Sequence, residues 1–164
     1  MGIESIFQDS LDEVTNKCRV QEFESHIKRL KDNNIIVWAG FIFGFDSDKK
    51  EVFKKTVDFC VKNKIDVVNF HPLTAFPGTK LHQRMDKQDR LVRNYSITPA
   101  NMTMEELFSG IKFAYKEFYS WPRIFQRTLW QIKRDWHRPL SLIKFVYLSR
   151  GYYKSADKIS ATSF

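Results

Sequence analysis

Cysteine is almost absent from this chain. Its two residues, Cys18 and Cys60, cannot build a disulfide framework, nor by themselves a four-thiolate metal site. Long apolar runs are absent too: the longest, residues 35–45, falls well short of the roughly 20 residues a membrane span requires. The first residues lack the basic-then-apolar order of a secretory signal, and Ile6 stands where a myristoylation pattern needs Ser or Thr. The histidines, His26, His71, His82 and His137, show no metal-ligand spacing. There is no internal repeat and no low-complexity tract. These absences predict a reducing, cytoplasmic protein without a transmembrane span.

What is present is the material of a core. Of 164 residues, 43% are hydrophobic and 28% charged, and fifteen are Phe, which is a globular composition. The net charge of +8 is unevenly spread: residues 1–82 carry 12 basic and 12 acidic side chains, residues 83–164 carry 15 and 7. Residues 121–164 alone hold 9 basic and 2 acidic side chains. Such a basic segment suits a solvated face, nucleic acid or an anionic membrane surface, and the solvated face is the simplest reading.

The first half alternates strand and helix. Residues 2–5 read as the end of a strand, 10–16 and 20–32 as helices, with Phe23, Ile27 and Leu30 on one stripe and Asn33-Asn34 as the stop. Residues 35–43 are apolar on both alternating faces, as in a parallel strand. Ser47 or Asp48 would cap a helix running to about residue 63, with Phe53, Val57, Cys60 and Val61 inward. Residues 66–71 form another β-branched strand, ended by Pro72 and the turn Pro77-Gly78, and a short helix spans 80–85. Short connections between alternating elements imply parallel strands with right-handed crossovers. Three such strands leave open edges, so the segment reads as part of a larger α/β barrel or sheet.

The second half is helical. Thr103 and Glu106 form a capping box ahead of Leu107, Ile111, Ala114 and Phe118. Pro122 opens a second helix with the apolar face Ile124, Phe125, Leu129, Ile132 and Trp136, expected to bury Ile124, Phe125 and Ile132 against the barrel. Pro139 opens a third, ended by Gly151, and residues 152–164 read as a frayed polar tail.

Three ordered segments resemble the second half of a radical S-adenosylmethionine (radical SAM) enzyme of the type associated with a cobalamin-binding domain. They are Gly2-Ile3-Glu4-Ser5 (with Leu11 and Lys17), Ala39-Gly40-Phe41-Ile42-Phe43-Gly44-Phe45-Asp46, and Leu73-Thr74-Ala75-Phe76-Pro77-Gly78-Thr79-Lys80-Leu81. Residues from Asn101 through Ser120 resemble the helical C-terminal extension of many such enzymes. The resemblance implies an α/β fold, a partial (β/α) TIM-type barrel of parallel strands, followed by an α-helical extension. It divides the chain into a barrel part, 1–86, a linker, 87–100, and the extension, 101–164. It also implies ligand binding at the C-terminal strand ends.

Carried over, Glu4 and Ser5 would contact the ribose or methionine part of S-adenosylmethionine. Gly40, Ile42 and Gly44 would pass the adenine, where a glycine lets backbone approach a flat ring. Ala75, Phe76, Pro77 and Gly78 would supply backbone near the same ring. Ser47 replaces the Glu that closes the family's strand-five pattern. The implied [4Fe-4S] cluster needs three cysteines in a CxxxCxxC loop, which two distant cysteines cannot supply. The cluster, and cobalamin if used, would therefore come from an N-terminal barrel half or an upstream-encoded partner. The substrate would be a small or lipid-like molecule.

Simpler readings stand beside these. Gly40 and Gly44 would also serve close helix approach, Asp46 and Asp48 helix capping, His71 structure and Cys60 core. The alternative function is a basic helical module docking through residues 121–158 on nucleic acid, which lacks a recognition motif here, or on an anionic membrane.

Overall fold

A computed structural model describes residues 1–13, 19–92, 96–135 and 139–159, without the side chains of 133–135 and 139–142. Cys18, Lys17, Asn94 and Trp136 lie outside the described residues. Three strands, β1 (Gly2–Glu4), β2 (Trp38–Phe43) and β3 (Val67–Pro72), form one parallel sheet in the order β1-β2-β3. Helices α1 (Gln8–Asp12), α2 (Val20–Asp32), α3 (Val52–Lys62) and α4 (Lys80–Lys87) accompany them. The C-terminal region is α5 (Met104–Phe118), α6 (Trp121–Asp135), α7 (Pro139–Ser155) and a 3-10 turn (Ala156–Lys158). The α/β class and the helical C-terminal region thus match expectation.

Alternation sorts the strand residues onto two faces. Ile3, Ala39, Phe41, Phe43, Val68 and Phe70 are buried against Phe23 and Ile27 of α2, Phe53, Val57 and Cys60 of α3, and Leu107, Ile111 and Phe118 of α5. Aromatic packing fills this layer, with Phe43 edge-on to Phe53 at 4.8 Å and stacked on Phe70 at 5.5 Å. Each such ring removed from water contributes roughly 1.5–3 kcal/mol. Cys60 is core, and burial pushes its thiol well above the ordinary range. At Gly110, a Cβ would sit 2.1 Å from the Phe53 ring, so this glycine sets how closely α5 approaches α3.

The helical region is welded to the sheet. Tyr119 Oη accepts from the Val68 amide (3.0 Å) and donates to the Val68 carbonyl (2.9 Å). Tyr115 does the same for Phe70, at 3.0 and 3.3 Å. Four residues of helix advance about 6 Å and two of strand about 6.6 Å, so the spacings match. Arg127 is buried: it donates to the carbonyls of Asp66 (3.1 Å) and Phe118 (3.0 Å) and lies over the Phe118 ring at 3.8 Å. Burial draws its guanidinium down to about 10, still charged at neutral pH. The buried Asp66 carboxylate receives the Val37 amide (2.8 Å), Lys31 (2.7 Å) and Gln131 (3.4 Å).

Four local expectations are corrected. Residues 35–37 precede β2, and Ile35 and Ile36 are exposed. α3 begins at Val52, and Asp48 caps a loop rather than the helix. On α6 only Ile124 of the named apolar residues that are described is buried; Phe125, Leu129 and Ile132 face outward while Arg127 and Gln131 face the sheet. α7 runs through Gly151 to Ser155, and residues 152–159 are no frayed tail. Tyr152 stacks on Tyr119 at 5.1 Å, Ala156 is buried, and Asp157 pairs with Lys116 at 2.8 Å.

Candidate functional site

The second face of the sheet carries Gly2, Glu4, Trp38, Gly40, Ile42, Val67, Asn69 and His71. Register aligns Gly2 with Gly40 and Gly40 with Asn69, so two glycines and an amide lie in one row across three strands. Beyond the Cβ position of Gly40 there is nothing within 4 Å. Gly2 and Gly40 leave their part of the row without side chains, where another group can approach the backbone. Trp38 borders it, half exposed; with the Asn69 amide oxygen turned toward it, the indole N–H donates at 3.3 Å.

Glu4 ends β1 with φ 65, a left-handed conformation disfavoured for a residue with a Cβ. Its carboxylate lies 3.8 Å from where a Gly2 Cβ would be, on the same open face as Gly40. Backbone strain of this kind costs of order 1–3 kcal/mol and persists where surrounding structure fixes it. Ser5 is buried, and its hydroxyl accepts from the Phe7 amide at 3.1 Å, shaping the turn after β1.

The loop after β2 forms the rim. Gly44 has φ 103, and a Cβ there would touch Leu107 of α5 at 3.4 Å, so this glycine serves the turn and the helix contact. Its amide and that of Phe45 donate to Asp48 at 2.9 and 3.2 Å. The next two amides, Asp46 and Ser47, donate to the two oxygens of Glu13, both at 2.9 Å. Four consecutive N–H groups are thus held by two carboxylates. Burial raises the Asp48 pKa against the pull of the Gly44 amide and of Ser10, which donates at 2.8 Å. Arg90, bonded to the Thr98 carbonyl and to Asp46, ties Thr98 to the rim.

Ile42, half-buried on the open face, packs on a second cluster of Phe45, Leu73, Ala75, Met85 and Ile97. Ala75 is inside that cluster, whereas Phe76, Pro77 and Gly78 form an exposed turn with Gly78 at φ 85. The Phe76 carbonyl accepts from Thr79, whose hydroxyl caps α4 at the His82 amide. His71 shares the open face; desolvation lowers its pKa, leaving it neutral at pH 7.

The structure therefore brings Glu4, Gly40 and Ile42 onto one face, and gives Ser5, Gly44 and Ala75 backbone or packing roles. Sequence reading missed Glu13, Arg90, Trp38 and Asn69. The one available signal was Asn69 itself, a polar residue in an apolar strand. The open space beyond Gly40 is the room a flat ligand would need. A [4Fe-4S] cluster does not fit this chain, and among the described residues no three His, Cys, Asp or Glu side chains gather to hold a metal.

No protein-family model matches the chain. Among curated proteins it is similar to bacteriochlorophyllide d C-12(1)-methyltransferase of Chlorobaculum tepidum, 30% identical over 156 residues, covering 89% of this chain and 32% of that protein. It is also similar to anaerobic magnesium-protoporphyrin IX monomethyl ester cyclase of Cereibacter sphaeroides, 29% identical over 127 residues, covering 73% and 21%. A third relative, bacteriochlorophyllide d C-8(2)-methyltransferase of Chlorobaculum tepidum, is 27% identical over 146 residues, covering 81% and 32%. The chain spans 21–32% of the length of these relatives.

Proposed function

We propose, from the premise that the homologues of this chain are B12-binding radical SAM methyltransferases and cyclases, that it forms the adenosyl-binding wall of a partial (β/α) barrel. The open face of β1, β2 and β3 would be the barrel interior, and β1 the edge where an N-terminal barrel half pairs. The observation that carries this reading is the unfilled space over Gly40, in a row with Gly2 and beside the strained Glu4. A side chain at position 40 would occupy the volume of the ring.

In this reading Gly40 and Gly2 admit the adenine, Ile42 bounds it on one side, and Glu4 accepts hydrogen bonds from ribose hydroxyls or the methionine ammonium. The two-carboxylate brace on residues 44–47 fixes the rim, which lowers the ordering needed on binding. When bound in a complete enzyme, S-adenosylmethionine supplies radical or methyl-transfer chemistry. The cluster and cobalamin that the family implies would be held by polypeptide outside this chain, in the same cytoplasmic assembly.

The test is anaerobic co-production with a polypeptide carrying CxxxCxxC, followed by equilibrium dialysis with labelled S-adenosylmethionine. Gly40→Val should weaken binding at least about tenfold, the scale of a misfilled ligand pocket, while leaving the unfolding midpoint of this chain unchanged. Equal binding by the variant and the parent would overturn the assignment, as would full binding by the cysteine-bearing partner without this chain.

A further inference from the structure

The helical region carries an apolar surface that the adenosyl reading does not use. On α6, Trp121, Phe125, Leu129 and Ile132 recur every three or four residues, which places them on one stripe. The opposite side of the same helix, with Ile124, Arg127 and Gln131, is buried against the rest of the protein. α7 adds Ile143, Tyr147 and Leu148. These seven large side chains are between 40% and 79% exposed. Scattered surface apolar residues are ordinary, but a helix that turns one apolar stripe to solvent marks an interaction surface.

The charge around the stripe says what sits on it. Of the nine basic side chains in residues 121–164, Arg127 faces the sheet, whereas Lys144, Arg150 and Lys154 stand on α7. Lys144 and Lys154 stand exposed on α7 with no ion pair among the described residues. The Arg150 guanidinium lies 4.4 Å from the Trp121 ring and 4.4 Å from the Tyr153 ring, and its Nη1 is buried with no hydrogen-bond partner among the described residues. A guanidinium packed against two rings keeps its positive charge beside the stripe, where it can attract an anionic oxygen. A second copy of this chain would bring the same positive charge and repel. Nucleic acid would gain little from Leu129, Ile132, Ile143 and Leu148, which cannot stack on bases as aromatic rings do.

We propose that α6 and α7 seat this chain on the surface of an anionic lipid bilayer. Phe125, Leu129, Ile132 and Leu148 enter the acyl boundary, Trp121 and Tyr147 lie at the headgroup level, and Arg150, Lys144 and Lys154 bind lipid phosphates. Among the described residues no helix is long and apolar enough to cross a membrane. This surface is separate from the glycine strip, and its test involves no S-adenosylmethionine.

The experiment is co-sedimentation of the full chain with phosphatidylcholine vesicles, with and without phosphatidylglycerol, while tryptophan emission is recorded. Binding is expected only with phosphatidylglycerol, accompanied by a blue shift and weakened by added salt. Phe125→Glu and Leu129→Glu, both at exposed sites, should keep the circular dichroism of the parent and lose binding by roughly tenfold or more, since apolar insertion and charge act together. Arg150→Gln should weaken anionic binding less and leave the blue shift of the bound fraction in place. The proposal is overturned by equal binding to both vesicles, by no vesicle binding, by preference for an oligonucleotide over vesicles, or by folded Glu variants that bind as the parent does.

Discussion

The outer edges of β3 and β1 are treated in opposite ways. Along β3 the backbone groups of Val68 and Phe70, which would bond a fourth strand, are taken by Tyr119 and Tyr115. Arg127 and Gln131 close the start of the same strand at Asp66. β1 is three residues long and, among the described residues, pairs only with β2. A sheet edge is a template for another strand unless covered. The difference teaches that the helical region is the stop of the sheet rather than an appendage: β-pairing can extend it past β1 and not past β3.

The largest test of that contrast is Arg127→Met. Removing the guanidinium leaves the carbonyls of Asp66 and Phe118 short of donors and the buried Asp66 carboxylate with less positive charge near it. The expected loss is about 3–5 kcal/mol, the usual cost of breaking a buried polar pair from one side, read from the urea midpoint. A loss under about 1 kcal/mol, the scale of a surface contact, would mean that α6 rests on the sheet without holding it.

Tyr119→Phe comes next. It keeps the ring stacked on Tyr152 but leaves a buried N–H and C=O unsatisfied, at about 1–3 kcal/mol. Tyr115→Phe should cost somewhat less, because its carbonyl bond is longer. In hydrogen exchange the Val68 and Phe70 amides should lose protection in the matching variant alone. Unchanged protection would show that the hydroxyls do not seal the edge.

The two faces of the sheet give a finer comparison through two glycines. Gly110→Ala drives a methyl group into the Phe53 ring and should cost about 1–3 kcal/mol by overpacking, despite the better helix propensity of Ala. Gly40→Ala meets open space and should stay within about 0.5 kcal/mol. Equal losses would mean that the second face is not open.

Much of this architecture was legible in the residues. The β-branched and aromatic runs marked β2 and β3, and the Thr103–Glu106 box marked the start of α5, with both of its hydrogen bonds formed. Periodicity failed on α6 because it counts apolar residues, whereas the buried side is anchored by Arg127 and Gln131 reaching Asp66, a partner 61 residues away from Arg127. Asp48 has the composition of a helix cap. Gly44, at positive φ, turns its amide toward that carboxylate, and the loop claims it first. That Glu4, Gly40 and Ile42 share a face was legible because strand alternation fixes which residues lie together. Glu13 was not, since its role depends on two amides that lie near it only after folding.

The smallest effect is spectroscopic and separates the sealed edge from the rest of the surface. Burial raises the phenol pKa of both Tyr115 and Tyr119, Tyr119 further, with the strand amides pulling the other way. The unfolded chain ionises near 10. Below that pH the two hydroxyls contribute their full stabilisation; as pH rises from 10 toward the folded values, the unfolded state gives up protons that the folded state keeps, and stability falls. Arg127, drawn down to about 10, works in the opposite sense over the same range, so tyrosinate absorbance is a cleaner measure than the unfolding midpoint. Of six tyrosines, Tyr115 and Tyr119 should ionise above the ordinary phenol range, and Tyr119→Phe should remove the most alkaline part of the curve. If the variant loses signal near 10 instead, the Tyr119 hydroxyl is open to water, and the edge of β3 is as available for pairing as that of β1.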